Sequence, residues 1–105
     1  MTKEYELGLS LLNKIHEHLE ALSKVEDRKL AKETVQVIIN PIVASAYQIK
    51  VGEGPNKDKL LSILFPLIRE LRELQDMEKV RALAFELLQT LNGLKEEAPL
   101  KEGKG

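Results

Sequence analysis

Ile38-Ile39-Asn40-Pro41-Ile42-Val43 and Ile63-Leu64-Phe65-Pro66-Leu67-Ile68 are two strongly apolar runs, each centred on a proline, at about equal distances on either side of Gly52-Glu53-Gly54-Pro55. Two glycines, a proline and Asn56 make Val51 to Asn56 the clearest loop in the chain. If the two runs are helices folded back at that loop, both prolines lie at one level of a helical hairpin. Proline removes a helical N–H and presses on the carbonyl four residues earlier, so each helix is expected to kink or break there. Pro66 falls on the polar side of its helix, where a bend is easy. Pro41 lies in a wide apolar face and follows Asn40, so of the two it is the stronger candidate for a true break; a break there would end one helix at Ile39 and resume another at Pro41, and a kink would leave the helix continuous.

Outward from the hairpin, apolar spacing predicts the remaining helices. Tyr5, Gly8, Leu12, Ile15, Leu19 and Leu22 step by three and four, predicting a first helix over about Thr2 to Leu22 whose apolar face spans about 200°. Ser23-Lys24-Val25-Glu26 has the form of a capping box, with Asp27 as the competing cap, so a second helix is expected over about Val25 to Lys50. Leu30, Val35, Val37, Ile38, Ile39, Ile42, Val43, Ala46 and Ile49 cover about 240° of it, more than one neighbour can bury. The third helix, about Lys57 to Leu74, carries Leu60, Ile63, Leu64, Leu67, Ile68, Leu71 and Leu74 on one face. Asp76 caps a fourth, Met77 to Leu91, which Asn92-Gly93-Leu94 is expected to close with a left-handed glycine.

The expected fold is therefore all-α, an antiparallel four-helix bundle with breaks or kinks at Pro41 and Pro66, giving up to five or six helical segments. One domain is expected over 1–94. The tail 95–105 (KEEAPLKEGKG) has too few apolar groups to offset the entropy of ordering and is expected to be disordered.

Composition narrows the function classes. The 105 residues hold 16 basic and 17 acidic side chains, so no overall field draws the chain to nucleic acid or anionic lipid. There is no cysteine, which excludes disulfides, iron–sulfur clusters and thiolate zinc sites and suits a reducing cytoplasm. No apolar run nears the roughly 18 residues that span a bilayer, and the N-terminus is acidic where a signal peptide is basic, so no membrane association is expected. Lys and Glu make up about a quarter of the residues, a thermophile-like balance.

Candidate chemistry is sparse. His16 and His18 are two apart on a helix and point about 160° from each other, so they cannot share one metal. The carboxylates fall on expected solvent faces, most with a basic neighbour one turn away, and none lies in an apolar seam. No nucleophile elbow, P-loop or G-x-G-x-x-G is present. The histidine-phosphotransfer motif, cytochrome b562-type haem ligation and the chorismate mutase arginine pattern are each missing. No cofactor, metal or catalytic residue is assigned.

The expected function is a non-enzymatic helical protein-interaction or oligomerisation module, an adaptor, homodimeric through the apolar excess of the second helix. Its partner-binding residues are Ile39, Val43 and Tyr47, the tyrosine offering an amphipathic ring with few rotamers. The alternative is a nucleic-acid-contacting accessory subunit of a larger complex, acting through Arg69, Arg72 and Lys79. Those cations lack interleaved aromatics and are diluted by Glu70, Glu73 and Asp76.

Overall fold

The structure is a computed structural model that describes residues 1–94 in full and, beyond them, only the backbone of the last helix as far as Lys104. The tail expected over 95–105 lies outside the fully described residues. Five helices follow one another: α1 (Lys3–Lys14), α2 (His16–Leu22), α3 (Arg28–Val51), α4 (Lys57–Glu73) and α5 (Met77–Lys104). The described residues contain no strand.

The four-helix bundle forms with α1 and α2 sharing one corner. α1 packs chiefly on α3, α3 on α4 and α4 on α5, and α2 closes the ring against α5. The division falls at Ile15 (φ −104, ψ 18), whose N–H bonds to Leu12 O at 3.2 Å in a tightened turn. The expected single helix over Thr2–Leu22 is thus corrected to two. A straight rod would follow only one neighbour, whereas the bend at buried Ile15 seats the lower half on α3 and the upper half on α5.

Neither proline ends a helix, so of the break or kink left open at Pro41 the structure excludes the break. Each lies inside a continuous helix. The carbonyls that lose their donors belong to Val37 and Ser62, and both residues are exposed, so solvent is at hand for the unpaired oxygens. The turn before α3 is also settled differently from the capping box. Asp27 Oδ1 accepts the Lys29 N–H at 3.0 Å, while Ser23 donates backward to Glu20 O at 2.6 Å.

α4 begins after Asn56 and ends at Leu74, both in the left-handed region (φ 60 and φ 48). Asn tolerates that conformation; Leu74 is held there while its side chain packs against the core. Asp76 Oδ1 accepts the Lys79 N–H at 3.1 Å, as expected of the cap of α5. The expected close at Asn92-Gly93 does not occur: α5 runs through it, and Gly93 is not at positive φ. A methyl at Gly93 would meet nothing within 4 Å. Gly93→Ala is therefore expected to raise stability by about 0.5–1 kcal/mol, the opposite of the loss a left-handed glycine would give. Urea denaturation distinguishes the two.

The core is aliphatic, with Leu12, Leu19 and Leu22 meeting Ile38, Ile42 and Ile49 of α3, Leu60, Leu64 and Leu67 of α4, and Val80, Ala84 and Leu87 of α5. At the bottom of the bundle the α3–α4 loop clasps the N-terminus. Thr2 N donates to Glu53 O and Glu53 N donates to Thr2 Oγ1, both at 2.9 Å. The Tyr5 ring is fully buried under Gly54 and its hydroxyl donates to Pro55 O. Lys57 Nζ closes the loop by donating to Gly52 O at 2.7 Å.

Candidate interaction surface

α3 has apolar residues around most of its circumference, and the bundle covers only part of them. Ile38, Ile42 and Ile49 face inward and are buried. Leu30, Val37, Tyr47 and Val51 remain 52%, 57%, 62% and 52% exposed. With exposed Ala44, three of these share a spacing of seven: Leu30, Val37, Ala44 and Val51. Residues seven apart on a straight helix drift by only about 20° per step, so the four form one stripe, about 30 Å long, down the outer face. Glu33, Asn40 and Tyr47 run beside it.

On the shoulder of that face, α3 and α4 enclose a groove of about 300 Å³ lined by Val43, Ala46, Tyr47 and Lys50 from α3 and by Phe65, Ile68 and Arg72 from α4. Phe65 is 47% exposed. Lys50 belongs to the last turn of α3 and Arg72 to the last turn of α4. The hairpin is antiparallel, so the two cations enter from opposite ends of the groove. Helical side chains lean toward their own N-terminus, and both therefore lean over the apolar floor.

The expected partner-binding residues divide between two environments. Val43 and Tyr47 line the groove, whereas Ile39 is half-buried against the core and does not. The expected basic set is likewise split. Arg72 lines the groove, Arg69 is exposed outside its lining, and Lys79 sits 3.9 Å from Glu70 Oε2. Glu70 is only 6% exposed, which corrects the expectation that every carboxylate lies on a solvent face. Sequence reasoning missed Lys50, Phe65 and Ile68 as surface-forming residues. For Phe65 and Ile68 the signal is the row Leu61, Phe65, Ile68 and Arg72, stepping by four and three along the edge of the α4 seam; Lys50, on α3, has no such row.

The histidines stand apart from this surface. His16 Nδ1 is 3.5 Å from Glu20 Oε1, and His18 Nδ1 is buried with no hydrogen-bond partner among the described residues. No three His, Cys, Asp or Glu side chains converge as a metal site among the described residues. Nor is any helix there long and apolar enough to cross a membrane.

Fold and surface together define an all-α bundle whose third helix presents apolar groups on its outer side. No family model matches the chain, and searches of curated proteins and of solved structures yield no match.

Proposed function

We propose that the chain is a non-enzymatic adaptor, a helical oligomerisation module that forms a homodimer through the outer face of α3 in a cytoplasmic setting. The observation that carries this reading is the heptad stripe of half-exposed Leu30, Val37 and Val51 with Ala44 between them. Scattered exposed apolar residues are ordinary, but an apolar residue every two turns along one face, four in a row, is a surface that a second helix can cover. The pattern is also self-complementary. An antiparallel copy centred between Asn40 and Pro41 sets Leu30 of one chain against Val51 of the other, and Val37 against Ala44. The two Asn40 residues then lie within about one residue of the same level, a polar pair that favours this register.

Val37→Glu tests the reading. Burying the exposed half of a valine contributes about 1 kcal/mol per copy, so the substitution is expected to weaken a symmetric dimer by about 2 kcal/mol, roughly 30-fold in Kd, before the cost of desolvating the carboxylate. Sedimentation velocity between about 1 and 100 µM should show a dimer for the unmodified chain and a monomer for the variant. A monomer across that range for the unmodified chain sinks the proposal. The nucleic-acid alternative has less support, since Lys79 is turned to Glu70 and only Arg72 of the three cations faces the groove.

A further inference from the structure

We infer that the groove between α3 and α4 is a second docking site, one that receives an acidic amphipathic helix from a different protein. It lies on the shoulder of α3, beside the proposed dimer stripe, and does not depend on the dimer. Its floor is apolar and aromatic: Val43, Tyr47, Phe65 and Ile68. Its two charged members, Lys50 and Arg72, are both cations, and neither pairs with a carboxylate of a described residue. No acid lines the groove.

Charge selects the occupant. A second copy docking groove to groove brings four cations together with no anion between them, a like-charge contact that disfavours self-association here. A nucleic acid strand finds two aromatic faces but only two cations, on a chain whose formal net charge is −1, too little to hold a polyanion at physiological salt. An amphipathic helix answers both features. Apolar residues at i, i+3, i+4 and i+7 fill the floor, as helix-in-groove recognition requires, and a carboxylate toward each end meets Lys50 and Arg72.

The test uses a fluorescein-labelled helical peptide of about 16 residues with leucine at i, i+3, i+4 and i+7 and glutamate on the flanks, followed by anisotropy against the full chain. The acidic peptide is expected to bind, more weakly as salt rises, and its lysine-flanked counterpart is not. Lys50→Glu with Arg72→Glu should weaken the acidic peptide about tenfold or more and allow the lysine peptide to bind instead. Both positions are exposed, and the swapped preference is an effect that misfolding would not produce. Val37→Glu should leave peptide binding intact, which separates this site from the dimer. The inference is overturned if the acidic peptide fails to bind, if both peptides bind alike, or if the double reversal changes nothing. It is also overturned if labelled oligo-dT binds the groove in the peptide's place.

Discussion

Tyr5→Ala is expected to lower the unfolding free energy by about 3–5 kcal/mol, a large share of the roughly 5–15 kcal/mol that holds a domain folded. Tyr5 is fully buried, so truncation leaves a ring-sized void where α1 meets the α3–α4 loop. Gly54 cannot fill it, because the loop is held by Thr2, Glu53 and Lys57. In a domain of this length the loss corresponds to a fall in Tm of more than about 10 °C, and a loss below about 1 kcal/mol in urea denaturation would contradict the clasp. Tyr5→Phe keeps the ring and removes only the hydroxyl's bond to Pro55 O, at an expected cost of about 1 kcal/mol.

The same residue predicts an alkaline effect. Burial raises the Tyr5 phenol above its usual value of 10.0, so the fold favours the neutral ring. That contribution is fully present below pH 10 and is lost as pH rises through the raised value. The unmodified chain should therefore lose stability more steeply above pH 10 than Tyr5→Phe does. Identical slopes for the two would show that the phenol titrates no differently when folded.

Gly8→Leu is expected to cost about 2–3 kcal/mol, through overpacking rather than a void. A Cβ at Gly8 would lie 2.6 Å from Ile49 Cγ1 and 3.0 Å from the Ser45 carbonyl oxygen. Ile49 is fully buried and the carbonyl belongs to the α3 backbone, so α1 itself must move away. Even Gly8→Ala should destabilise, although helix propensity alone favours alanine by about 0.8–1 kcal/mol. Gly93→Ala, the same change on an open helical face, should stabilise. Opposite signs at the two glycines isolate packing from propensity; matching signs in parallel thermal melts would mean that α1 does not approach α3 as closely as described.

The sequence shows most of the bundle because its seams are long and regular. The α4 seam and the Asp76 cap are readable to within a residue, as is the loop between Val51 and Asn56. Two features were not local. The bend at Ile15 follows from α1 and α2 having different neighbours, which no spacing within the segment records. Pro41 stays helical because Val37 faces solvent, and that depends on how the bundle rotates α3. The excess of apolar residues on α3 was visible from its wheel, but which of them stay exposed was not. Ile39 turned against the core, while Leu30 and Val51, at the two ends of the helix, did not. The groove needed Phe65 and Arg72 brought beside Tyr47 and Lys50, a pairing that only the antiparallel hairpin makes.

The clasp between Thr2 and Glu53 also orders events during synthesis. Glu53 lies 51 positions after Thr2, and the Ser45 and Ile49 surface that receives Gly8 is made only shortly before it. At about 5–20 residues per second, Glu53 is added roughly 2–10 s after Thr2, so the clasp cannot close before then. The α1 corner of the bundle is thus sealed only after the α3–α4 loop has been made.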